Sequence, residues 1–172
     1  MGLRASALSL ASLCLMSWSF SVQAIATNNP LVMADQVLVI KSEHRLYLLR
    51  EGARYRSYPI ALGREPVGRK EREGDTRTPE GRYIIDGRNP ASAYFLSLHV
   101  SYPNSSDVLR AQQHHWSPGG AIMIHGMPNV PKHPAKHYHQ TDWTDGCIAL
   151  SNDDMVEVWL LTNNDVPIEI LP

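Results

Sequence analysis

Residues 121–160 read AIMIHGMPNV PKHPAKHYHQ TDWTDGCIAL SNDDMVEVWL. The apolar run from Ala121 to Ile124 is the pattern of a buried strand, and it ends on His125 and Gly126. A polar segment, 127–143, follows and is interrupted by Pro128, Pro131 and Pro134. Thr144-Asp145-Gly146-Cys147 then leads into the apolar Ile148-Ala149-Leu150. Ser151, with Asp154 three residues on, predicts a capping box and a helix whose apolar face carries Met155, Val156, Val158, Trp159 and Leu160. The helix stops at Thr162-Asn163-Asn164. A loop as long as 127–143 inside a compact domain is usually functional, and this one joins a histidine at a strand end to a cysteine.

The flanking sequence supplies strands. Gln36 to Ile40 and Arg45 to Arg50 form a hairpin around Ser42-Glu43-His44. Glu51-Gly52 turns the chain into a third strand, Tyr55 to Leu62, which completes a meander. Tyr94 to Tyr102 alternates, with Leu96, Leu98 and Val100 on one face and Phe95, Ser97, His99 and Ser101 on the other. Tyr83-Ile84-Ile85 and Val166 to Leu171 are further strands, and Asp107 to Gln113 is a short helix. Between them, Gly63 to Arg77 mixes Arg64, Arg69, Lys70, Arg72 and Arg77 with Glu65, Glu71, Glu73 and Asp75. It reads either as a solvated loop or as the rim of a cleft. Thr78-Pro79-Glu80-Gly81 is a turn. Asn104-Ser105-Ser106 matches a glycosylation sequon.

The fold class that follows is mainly β with minor α (α+β). Eleven Gly and twelve Pro in 172 residues suit a turn-rich domain. Residues 37–171 form that domain. Residues 1–24 are a signal peptide: Arg4 precedes an apolar run from Ala5 to Phe20, and Val22-Gln23-Ala24 offers the small residues of a cleavage site. Residues 25–36 are a short tether. The leader implies an exported, periplasmic or cell-envelope protein with no stable membrane insertion once it is cleaved. A net charge of −1 with no basic face excludes nucleic acid as a partner.

Export makes the cysteine count informative. Cys14 lies in the leader, so Cys147 is the single cysteine of the mature chain. A lone thiol in an oxidising compartment is buried and inert, paired between chains, or reactive. Here its neighbours favour reactivity. A nucleophilic cysteine needs a base and donors for an oxyanion. His125 on a strand end suits the base. Gly146 lets its own N–H and that of Cys147 face a substrate carbonyl. The group that fixes the imidazole tautomer is either Asp145 or the Gly126 carbonyl.

His125-Gly126, a 17-residue spacer (127–143), then Thr144-Asp145-Gly146-Cys147-Ile148 resembles the signature of the L,D-transpeptidase catalytic domain, also called YkuD-like. The upstream motif Gly63…Pro66…Gly68…Lys70…Gly74-Asp75…Arg77-Thr78-Pro79-Glu80-Gly81…Tyr83 is similar as well. The resemblance implies a mixed β-sandwich with one helix after the cysteine, and a substrate that is the peptide stem of peptidoglycan. Cys147 would attack the carbonyl at the L-centre of meso-diaminopimelate and expel D-Ala, and the thioester would pass to an amine or to water. Gly126 would orient His125 through its carbonyl. No cofactor or metal is implied. Asp145 stands where the family carries a second histidine, and Ala149 where many members carry an arginine. The Thr-Asp-Gly-Cys form is similar to the YafK-like subgroup, part of which is an amidase that detaches peptidoglycan from a wall-linked lipoprotein, so hydrolysis is the alternative activity. Asp145, Thr144, His99 and Tyr94 are candidate substrate contacts. A third reading, from another class, is a metal-binding protein using His133, His137 and His139 with His114-His115.

Overall fold

The computed structural model describes Gly2 and residues 31–172. The leader expected at 1–24, Gly2 apart, and the tether residues 25–30 lie outside the described residues.

Eight strands make one mixed sheet. β1 (Gln36–Ile40), β2 (Arg45–Arg50) and β3 (Ala53–Pro59) are the antiparallel meander, its first turn made by His44 at positive φ. β4 (Gly81–Ser92) and β5 (Phe95–Val100) are a long hairpin. β6 (Met123–His125) lies antiparallel to β5, and β7 (Ile148–Ala149) lies parallel to β6. β8 (Val166–Leu171) returns to the middle, parallel to β1 and antiparallel to β4, so the order is β3-β2-β1-β8-β4-β5-β6-β7. The outer edges then meet. Ala61, just beyond β3, bridges Ala149 of β7, and Gly63 bridges Thr144. The two layers of the expected sandwich are therefore halves of one hydrogen-bonded sheet folded back on itself, which leaves little unpaired edge.

Alternation fixes which face is inside. Val37 and Val39 of β1 pair in register with Leu48 and Leu46 of β2 and with Ile168 and Ile170 of β8. All six are essentially buried. Tyr83, Ile85, Leu98, Val100, Ile124 and Ile148 continue that face. Each such aliphatic side chain contributes about 1.5–3 kcal/mol when fully buried. The packed domain starts earlier than Val37: Ala34 is buried and its N–H donates to Leu161 O at 2.8 Å.

Three helices occur among the described residues. α1 (Ser105–Gln113) has a full capping box in which the side chains of Asn104 and Asp107 each accept from the other's backbone N–H. The Asn104 side chain, read as a sequon, is thus engaged as a helix cap. α2 (Ala135–Gln140) interrupts the segment expected to be a plain loop. It is six residues long with Tyr138 as its one buried side chain, too short to show helical periodicity. α3 (Asn152–Leu161) is capped by Ser151, whose Oγ accepts from Asp154 N at 3.1 Å. Its buried residues are Met155, Val158 and Leu161. Val156 and Leu160, assigned to the apolar face from sequence, are exposed. No described helix is long and apolar enough to cross a membrane.

Residues 63–80 have few regular bonds yet are tightly held. The ammonium of Lys41, only 3% exposed, donates to Gly68 O, Thr78 O and Glu80 Oε1 at 2.6, 3.2 and 2.8 Å. Lys70 is buried against Asp75 at 2.6 Å. Asp75 also accepts from the N–H groups of Glu71, Arg72 and Arg77. This segment is a pinned rim.

Candidate active site

β6 ends on His125, which is 4% exposed. Its Nδ1 lies 2.7 Å from Gly126 O. A carbonyl oxygen only accepts, so Nδ1 carries the proton and Nε2 keeps its lone pair. The Gly126 carbonyl therefore holds the tautomer; Asp145, the other candidate, is turned to Arg64. Gly126 cannot be replaced cheaply, because a Cβ there would stand 2.6 Å from Asn152 Oδ1 and 3.0 Å from Phe95 Cβ. Burial holds the imidazole pKa below its ordinary value, against the raising effect of the Gly126 carbonyl. The ring packs against Tyr94 at 4.6 Å and Trp143 at 5.6 Å between centroids.

Cys147 reaches the same face from the residue just before β7. Ile124 and Ile148 are register partners and both are fully buried. His125 and Cys147 flank that pair on opposite sides in sequence, so both side chains alternate away from the core. The thiol is partly exposed and donates to Ala121 O at 3.7 Å. Burial raises its pKa; the Met123 N–H and Lys70 lower it, and the Asp145 charge adds to the rise. The thiol is shifted up and the imidazole down, so both shifts favour the neutral forms. Alkylation of Cys147 by iodoacetamide should therefore climb with pH through and beyond about 8.5, the ordinary thiol value. A rate plateau reached below pH 7 would show a preformed thiolate instead.

The turn before Cys147 is built by Thr144 and Gly146. The Thr144 hydroxyl donates to Cys147 O at 2.8 Å and accepts from Gly146 N at 3.1 Å. Two sequence expectations change here. Thr144 is buried and spends its hydroxyl inside the turn, so it is not a free substrate contact. The Gly146 N–H, expected to face the oxyanion, is already donated to Thr144. The Cys147 N–H makes no hydrogen bond among the described residues and remains for a substrate oxygen. Gly146 is required for its backbone: φ is +126° and a Cβ would meet Arg77 O at 2.6 Å.

Two cavities lie in this region, one lined by Cys147 and the other by Tyr94 and Trp143, the aromatic neighbours of His125. One, about 440 Å³, is lined by Cys147, Asp145, Lys70, Thr76, Gly120 and Ile122 among others. The second, about 540 Å³, is lined by Tyr94, Trp143, Tyr138, His133 and His137. Arg64 lines both. Tyr94 thus lines a cavity and packs on the His125 ring. His99 shares the outer face with His125 but is held by Asp86 and lines neither cavity. Sequence reasoning gave no role to Trp143, Arg64 or Lys70. Among the described residues no three metal-ligating side chains converge. His133 and His137 stack at 4.3 Å, whereas His139 lines a separate, smaller cavity.

Comparison with known proteins agrees with this geometry. Residues 34–170 match the family model for the L,D-transpeptidase catalytic domain, YkuD. Over 96 residues the chain is 33% identical to YafK of Escherichia coli K12, whose name places it provisionally among the L,D-transpeptidases; the match covers 52% of this chain and 37% of that protein. The chain thus spans less than half the length of that curated relative. The helical cell shape determining protein Pgp2 of Campylobacter jejuni superposes with a TM-score of 0.58 at 27% identity, over 78% of this chain and 46% of Pgp2. An L,D-transpeptidase from Mycobacterium smegmatis shares the fold, with a TM-score of 0.52 at 14% identity over 80% of this chain and 58% of its own. A family match across four-fifths of the sequence, on a sheet that brings Cys147 and a tautomer-fixed His125 to one face of neighbouring segments, shows that the chain belongs to the L,D-transpeptidase catalytic domain (YkuD) family.

Proposed function

We propose that the chain is a periplasmic cysteine acyltransferase that acts on the stem peptides of peptidoglycan through a thioester at Cys147. The observation that carries this reading is the placement of His125 at the end of β6 and Cys147 just before the adjacent β7, on one outer face, with Nδ1 of His125 committed to Gly126 O. That commitment leaves Nε2 as the nitrogen able to accept the thiol proton.

The steps follow from those atoms. As the proton passes from Sγ to Nε2, sulfur bonds to the carbonyl carbon at the L-centre of the diaminopimelate residue. Negative charge on the carbonyl oxygen is met by the Cys147 N–H. The C–N bond to the terminal D-Ala breaks, and His125 returns its proton to the leaving amine. The acyl group, now a thioester, is attacked by an amine from a second stem. His125 removes that amine's proton and delivers it to the departing thiolate. Water in place of the amine gives hydrolysis by the same steps. The walls of both cavities, rich in Tyr and Trp on one side and in loop backbone on the other, support a peptide rather than a small solute as the occupant.

Mass spectrometry of a tetrapeptide muropeptide incubated with the chain, with and without an added amine acceptor, tests this. Loss of D-Ala with formation of an amide to the acceptor is the expected result. Loss of D-Ala with water incorporation alone would assign a hydrolase. An unchanged muropeptide, together with no carbapenem adduct on Cys147 after long incubation, would overturn the reading.

A further inference from the structure

Peptide stems carry free carboxylates, and the cleft needs a cation for them. Ala149, at the position where the family signature leads to the expectation of an arginine, supplies none. Ala149 is 3% exposed and is locked to Ala61 by reciprocal backbone hydrogen bonds of 2.9 Å each, so that position is used to close the sheet. Lys70 lines the Cys147 cavity, but it is buried and committed to Asp75.

Arg64 lines both cavities, and its side chain is 59% exposed. Its N–H donates to Thr144 O at 3.1 Å, which fixes its backbone to the turn that carries Cys147. Its Nη2 engages Asp145 Oδ1, on a residue two positions before the nucleophile. The Asp145 side chain is 80% exposed. An ion pair that open to water contributes little stability and exchanges readily for another carboxylate. Glu73, an acid on the same wall, accepts a hydrogen bond from the Ser117 hydroxyl. We infer that Arg64 is the carboxylate anchor for the wall peptide, and that Asp145 holds the guanidinium in place until a substrate carboxylate takes it over. This rests on the proposed substrate class. It gives a role to both departures from the family pattern: the missing arginine is replaced from the rim, and the aspartate in place of the second histidine keeps that arginine at the site.

The test is a binding cycle in a Cys147→Ala background. Calorimetry compares a tetrapeptide muropeptide with forms in which each free carboxylate is singly converted to a carboxamide, against Arg64 and Arg64→Met. Charge-assisted hydrogen bonds set the scale, so Arg64→Met should weaken binding of the acid form about 10- to 100-fold. Amidation of the contacted carboxylate should cost the same in the Arg64 chain and nothing more in Arg64→Met, the signature of a coupled pair. Arg64→Lys should recover part of the loss, and Asp145→Asn should tighten binding several-fold by freeing the guanidinium. Coupling at any one carboxylate identifies the group held; additivity at all of them overturns the anchor. Turnover by the parent chain without coupling would refute the anchor and leave the proposed reaction standing. Coupling without turnover would do the reverse, and an absence of both binding and turnover would refute both.

Discussion

Cys147→Ala is expected to bring turnover of wall peptides to background, a loss of about 10⁴-fold or more, with the fold retained. The size follows from the proposed covalent mechanism, in which removal of Sγ removes the thioester and leaves His125 at best to activate water against an unstrained amide. Cys147→Ser should fall nearly as far. The depressed basicity of the buried imidazole suits a thiol and is poorly matched to a hydroxyl. Stability should barely move, because the thiol is partly exposed and the bond it donates, to Ala121 O, is a long 3.7 Å contact. Product analysis by mass spectrometry, with the thermal midpoint as folding control, reads both effects. More than about 1% residual kcat/KM in Cys147→Ala, set against the losses measured when other covalent nucleophiles are removed, would eliminate Cys147 as the nucleophile.

Much of this site was legible because its parts are local. The alternation that makes β1, β2 and β8 one buried face is visible in Val37-Val39, Leu46-Leu48 and Ile168-Ile170. The His125 strand end and the Gly146-Cys147 turn are each written in a few consecutive residues. What sequence could not resolve is what depends on partners far along the chain. Arg64 and Asp145 are 81 residues apart, and nothing in either neighbourhood announces the pair. Thr144 is a candidate substrate contact in the sequence, and only the bent turn shows that Gly146 N and Cys147 O consume its hydroxyl. The short α2 left no periodic trace. Trp143 closes the spacer without a local signal, since its contact with His125 joins residues distant in sequence.

The rim 63–77 shows the same limit, since mixed charge looks alike whether it is solvated or buried. Asp75→Ala is expected to be the most destabilising single change in it, by about 3–5 kcal/mol, because it leaves a buried ammonium without its partner. Lys70 is 4% exposed and would keep only Arg72 O, at 3.1 Å, while three backbone N–H groups lose their acceptor. For a domain of this size that corresponds to a fall in the thermal midpoint of roughly 10 °C. Activity should fall with it even well below the transition: Thr76 and Gly74 wall the Cys147 cavity, and Arg77 O packs against Gly146. The pH dependence has a definite sign. Burial alone would raise the Asp75 carboxyl, but Lys70 and the N–H groups of Arg72, Glu71 and Arg77 outweigh it and hold the pKa below its ordinary value. Its stabilisation is therefore complete above about pH 4, the ordinary carboxyl value, and is lost as pH falls through the lowered one. Asp75→Ala should flatten that acid limb. Pairing Asp75→Asn with Lys70→Met, which removes both charges, should recover part of the midpoint relative to Asp75→Ala. A midpoint within about 2 °C of the parent, less than the shift for 1 kcal/mol in a domain of this size, would show that the pair is not what holds the rim, and the walls of the cleft would need another explanation.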